Sequence, residues 1–157
     1  MNTRSMNRKA LLFFLLVTLG VGGGIGALLG GDMRLDGLVK PPFAPPAWLF
    51  PIAWTILFVL MAVAAYLVYI SCDIDRRGAL QLYWLQLAVN ALWSFFFFRL
   101  EWRLFAFVWL LLLLALAALT AWRFRPISKT AFYLFIPYLL WLVFAGYLNF
   151  GFYVLNG

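Results

Sequence analysis

The stretch LFAFVWLLLLLALAALTAW, Leu104 to Trp122, decides the fold. None of its 19 residues is charged, and apolar residues do not alternate with polar ones, so it does not read as a membrane β-strand. A helix satisfies its own backbone in lipid, and about 20 apolar residues rising about 1.5 Å each cross roughly 30 Å of hydrocarbon. Working outward, four more uncharged apolar runs qualify: Ala10 to Leu29, Ala47 to Ile70, Leu80 to Phe98, and Thr130 to Leu155. The expected fold is therefore all-α, an integral membrane bundle of five transmembrane helices forming a single domain over residues 1–157. The connectors are short, so the third and fourth helices are expected to be antiparallel neighbours. The one long link is residues 30–46.

Composition agrees with this reading. The chain is 67% hydrophobic and 11% charged, where a soluble domain is about half apolar and a quarter charged. A water-facing shell cannot hide that much apolar surface. The lone Cys72 excludes an internal disulfide framework, and the absence of His removes the commonest metal ligand and the usual neutral-pH base. All five acids (Asp32, Asp36, Asp73, Asp75, Glu101) fall between the apolar runs. No metal site, intramembrane proton relay or catalytic residue is expected.

The formal charge of +7 is scattered over short connectors, which points to anionic lipid headgroups as partners and not to nucleic acid. Arg4, Arg8, Lys9, Arg76, Arg77, Arg123, Arg125 and Lys129 fall on one side of the expected bundle; Arg34, Lys40, Arg99 and Arg103 fall on the other. By the positive-inside rule the N-terminus is cytoplasmic. The basic start followed by an apolar run is also the pattern of a signal peptide. Here the run continues into a glycine tract with no clear cleavage site, so a first span is expected.

The long link ends in KPPFAPPAWLFPIAW, Lys40 to Trp54, which holds five of the seven prolines. Proline fixes φ and pushes its predecessor towards extended geometry. A short stiff segment is therefore expected before the second helix, either as an interfacial turn or as a lid over one end of the bundle. With Ala47 as the N-cap, Pro51 falls in the first turn, where its missing N–H is not needed. Phe43 and Trp48 sit on this segment, and Trp54 lies two turns deeper.

The third run places Gln86, Asn90, Trp93, Ser94 and Phe97 on one broad helical face. Asn90 is near mid-span, where its amide needs a helix partner or a polar cavity. The fifth run gathers Trp141, Phe144, Ala145, Leu148 and Asn149 on a similar face, with Pro137 as a candidate bend. Large rings beside small residues read either as packing or as the wall of a flat pocket. In the first run GVGGGIG, Gly20 to Gly26, gives two overlapping G-x-x-x-G pairs, suited equally to internal packing or to a dimer. A pocket so lined suits a large, flat, apolar ligand.

Three motifs, in order and in register, resemble one family. They are KPPFAPPAWLFPIAWTILFVLM (Lys40–Met61), LAVNALWSFFFF (Leu87–Phe98) and IPYLLWLVFAGYLN (Ile136–Asn149). The chain resembles the TspO/MBR family of tryptophan-rich sensory and translocator proteins, also called peripheral-type benzodiazepine receptors, over almost its whole length. The resemblance implies five helices around a pocket closed by the first loop, usually in a homodimer in a membrane that is here expected to be the bacterial cell membrane. It also implies binding of porphyrins such as protoporphyrin IX, or of haem, as ligand and not as required cofactor. Trp54, Asn90, Trp93, Trp141 and Ala145 are carried over as pocket residues; Phe97, Phe144 and Leu148 join them by helical position. Arg34, Lys40, Phe43, Pro45, Pro46 and Trp48 are assigned to the lid.

There are two departures. The family often has a Trp-Tyr pair before the loop Lys, where this chain has Arg34 and Leu35, which weakens the alternative of a light-dependent porphyrin-degrading enzyme. No basic residue follows Tyr147 or Tyr153, so the animal sterol motif is absent. Arg34 and Lys40 are candidates to pair with porphyrin carboxylates. A small multidrug-type transporter is a further alternative, but it lacks the intramembrane charge that coupling usually needs.

Overall fold

The computed structural model describes residues 6–28, 35 and 37–157. Five α-helices run α1 (Arg8–Leu28), α2 (Leu49–Ile70), α3 (Arg76–Ser94), α4 (Arg103–Ile127) and α5 (Lys129–Asn156). No β-strand occurs among the described residues. Four of the helices, α1, α2, α4 and α5, are long and apolar enough to cross a membrane. Helix α3 is shorter, and Arg76, Arg77, Gln81, Gln86 and Asn90 lower its apolar content. The expected five spans are thus four apolar spans and one shorter, more polar helix.

The helices begin and end for local reasons. Trp48, not Ala47, precedes α2, so Pro51 is the third helical residue and its lack of an N–H still costs nothing there. Helix α4 runs five residues past Trp122, through Pro126, and meets α5 at a single residue. That residue, Ser128, gives its N–H to Phe124 O (2.8 Å), and its Oγ accepts the Ala131 N–H (3.2 Å) as the α5 N-cap. Helix α5 is continuous through Pro137.

After Ser94 the chain widens into a π turn, Phe95–Arg99, with the Leu100 N–H bonded to Phe95 O at 3.2 Å. The turn carries Phe97 and Phe98 on one side of the chain and sends Phe96 to the other, where Phe96 packs on Phe105 and Trp109 of α4 at 4.9 and 5.1 Å.

The helices pack in the ring order α1–α2–α5–α4–α3, closed by α3 against α1 and α2. The end holding Arg76, Arg77 and Lys129 is packed with buried rings. Tyr83, Phe124, Phe135 and Tyr138 are fully buried, with Phe124 and Phe135 at 5.5 Å and Phe135 and Tyr138 at 5.4 Å. Thr18 Oγ1 and Tyr83 OH join α1 to α3 at 2.6 Å.

Candidate functional site

The opposite half of the bundle is hollow. A cavity of about 430 Å³ lies between α1, α2, α3 and α5, beneath Leu35, Ala47 and Phe50; α4 contributes no lining residue. Its position follows from helix geometry. Asn90 and Trp93 share one face of α3, which Phe97 of the π turn extends, and Trp141, Ala145 and Leu148 share one face of α5, so both faces turn to the ring's centre. On α1, Gly22 and Gly23 present no side chains, leaving a thin wall. Gly22 sits against the ring of Phe58, too close for a Cβ.

Trp54 is the hub. Its ring stacks on Phe58 at 5.5 Å and meets Trp93 and Trp141, each at 6.2 Å, and Tyr138 at 6.4 Å. Trp93 stacks on Phe97 at 5.5 Å and gives its Nε1–H to Asn149 Oδ1 at 3.0 Å. Asn149 in turn donates Nδ2–H to Arg103 O at 2.8 Å, so that polar group is satisfied. The Trp141 Nε1–H, by contrast, is buried with no acceptor. An unpaired buried donor is costly, and here it belongs to a side chain lining an open space. Among the described residues, none that lines the cavity is charged.

Of the residues read from sequence as pocket residues, Trp54, Asn90, Trp93, Phe97, Trp141, Ala145 and Leu148 line the cavity. Phe144 does not; it packs between Trp141 (5.6 Å) and Tyr147 (6.2 Å) on the edge of the α5 face. Among the lid residues, Arg34 lies outside the described residues. Lys40, Phe43, Pro45, Pro46 and Trp48 do not line the cavity, and the rings of Phe43 and Trp48 are 89% and 65% exposed. The rings of Phe43 and Trp48 therefore face outward, while Leu35, Ala47, Phe50 and Pro51 form the cover.

Sequence reasoning missed the α1 wall and what holds the segment down. Asn156 clasps the Val39 backbone, accepting its N–H (2.8 Å) and donating to its O (2.9 Å). Tyr147 OH donates to Pro42 O at 2.7 Å, and Pro41 seats over Gly151, where a Cβ would come within 2.6 Å of the proline. Tyr147 and Asn156 fall on opposite sides of α5, so no periodic signal marks these residues before their distant partners are known.

A ring of apolar helices around a tryptophan-lined chamber defines a multi-pass helical membrane protein with an internal cavity. Residues 13–155 match the model of the TspO/MBR family, and the chain belongs to that family. It is 39% identical over 142 residues to the tryptophan-rich sensory protein of Cereibacter sphaeroides, covering 90% of this chain and 88% of that one. It is 37% identical over 137 residues to protein CrtK of Rhodobacter capsulatus, covering 85% of each. The human translocator protein is 35% identical over 145 residues, covering 90% of this chain and 86% of that one.

Proposed function

We propose that this protein binds porphyrins such as protoporphyrin IX, haem and similar flat apolar molecules in the cavity, and acts in their sensing, transport or turnover. The observation that carries this reading is the cavity itself. Its volume of about 430 Å³ is within the range of small-molecule sites, roughly 300–1,000 Å³. Among the described residues its wall is aromatic and uncharged, which suits a large flat ring system. Relatives named as sensory and translocator proteins support the same reading.

The reading extends to the setting. Helix α3 crosses the membrane as the fifth span: its polar Gln86 and Asn90 are buried, and Leu85, Leu92 and Phe95 face outward. The N-terminus is cytoplasmic in a bacterial cell membrane, and the protein works as a homodimer with lipid around it. Lys40, exposed on the proline segment, and Arg34 pair with the carboxylate edge of the porphyrin.

Titrating protoporphyrin IX into lipid-reconstituted protein tests the reading. Quenching of tryptophan fluorescence is expected, weakened at least tenfold in Trp141→Ala and Asn90→Ala, since both lose a wall residue. Wild-type affinity in both variants would refute it. Illuminating the same complex reports whether a degradation product forms, and the affinity of Lys40→Ala at low salt reports on the carboxylate pairing.

A further inference from the structure

Behind the cavity wall, two amides and one hydroxyl form a directed chain. Asn90, 3% exposed and lining the cavity, donates Nδ2–H to Tyr138 OH at 2.7 Å. Tyr138 spends its single hydroxyl proton on Gln86 Oε1 at 2.9 Å. Neither Tyr138 nor Gln86 lines the cavity, and both are fully buried. The direction matters. Because Gln86 takes the tyrosine proton, the tyrosine oxygen can only accept from Asn90. Asn90 must then turn its nitrogen to Tyr138, and no described residue donates to its Oδ1. The carbonyl end is the one left to the cavity.

We propose that Gln86 is a positioning residue that, through Tyr138, sets which end of the Asn90 amide faces a ligand, and so selects flat molecules bearing an N–H or O–H at one edge. The proposal rests on the cavity being a binding site for flat molecules. If the acceptor at Gln86 is removed, the Tyr138 proton has one partner left, Asn90 Oδ1. The Asn90 amide turns over to take it, and the cavity then meets an NH₂ group instead of a carbonyl.

Two tricyclic probes of nearly equal shape separate these states: carbazole, which offers only a ring N–H, and fluorenone, which offers only a carbonyl. Their binding is measured by equilibrium partition into protein-containing nanodiscs, with empty nanodiscs subtracted. Gln86→Leu is expected to weaken carbazole about tenfold, the size of one well-placed hydrogen bond, and to leave fluorenone, to which the Asn90 NH₂ now offers a donor, bound at least as tightly as in wild type. The double variant Gln86→Leu/Tyr138→Phe removes the proton that captures Asn90 and is expected to restore carbazole binding. Mere loss of packing would weaken both probes, and the second substitution would not rescue it. Unchanged carbazole binding in Gln86→Leu, or no recovery in the double variant, overturns the relay. Failure of wild type to bind either tricycle overturns the cavity reading together with it.

Discussion

The two halves of the bundle are built from the same residue types and differ in what those residues touch. At the Arg76 end, Tyr83, Phe124 and Phe135 meet ring to ring and are fully buried. At the proline end, Trp54, Trp93 and Trp141 stand around a hollow of about 430 Å³. Aromatic content therefore does not distinguish a core from a chamber. Nor do small residues alone: Gly22, Gly23, Ala91 and Ala145 lie in the cavity wall, while Ala64, Ala65, Ala79, Ala121 and Ala131 are buried at the packed end. What differs is whether the large rings close on one another or stand around an open space.

This contrast predicts the largest effect. Phe135→Ala opens a hole in the packed half and is expected to destabilise the protein by about 3–5 kcal/mol, the range for buried Phe truncation. Trp141→Ala enlarges an existing hollow and also removes an unpaired donor, so it is expected to cost clearly less. Unfolding in mixed micelles compares the two. Equal losses would mean that the hollow half is held as tightly as the packed one.

Next comes filling the chamber. Ala145→Leu pushes a branched side chain into the cavity without displacing a ring. Protoporphyrin quenching is expected to fall at least tenfold while thermal stability holds or rises slightly, because added contacts replace empty space. A stability loss of more than about 1 kcal/mol would show strain instead.

How much of this was legible in the sequence follows from the range of each signal. Four of the five expected spans were legible, because an uncharged run such as Leu104–Trp122 is a local property, while the run Leu80–Phe98 became the shorter, more polar α3 and its π turn. The cavity faces were largely legible, because residues three and four apart share a helix face: Asn90 and Trp93 on α3, extended by Phe97 of the π turn, and Trp141, Ala145 and Leu148 on α5. Phe144 failed because it lies on the edge of that face, where a small rotation moves a side chain from cavity to neighbour. The glycines of α1 were ambiguous because a residue without a side chain gives no direction. Tyr147 and Asn156 were invisible as fasteners because their partners lie 105 and 117 residues away.

That fastening gives a smaller, kinetic prediction. Asn156→Ala removes two hydrogen bonds to Val39, and Tyr147→Phe removes one to Pro42. At about 0.5–1.5 kcal/mol per bond, the proline segment should lift more often. Ligand release, followed by stopped-flow recovery of tryptophan fluorescence, is expected to quicken about threefold to tenfold, more in Asn156→Ala than in Tyr147→Phe. Unchanged release would mean that ligands leave between helices and not beneath the segment.

The smallest effect separates the outer face of that segment from its inner one. Phe43 holds a left-handed backbone, φ 63°, with its ring turned outward. A bulky residue there is strained by about 1–2 kcal/mol, which glycine would not feel. The ring touches no cavity residue, so Phe43→Gly should leave porphyrin affinity within about twofold and raise the unfolding midpoint slightly. Suppose affinity instead falls as far as in Trp141→Ala. The exposed ring must then swing inward when ligand binds, and the strain at Phe43 stores the means to do so.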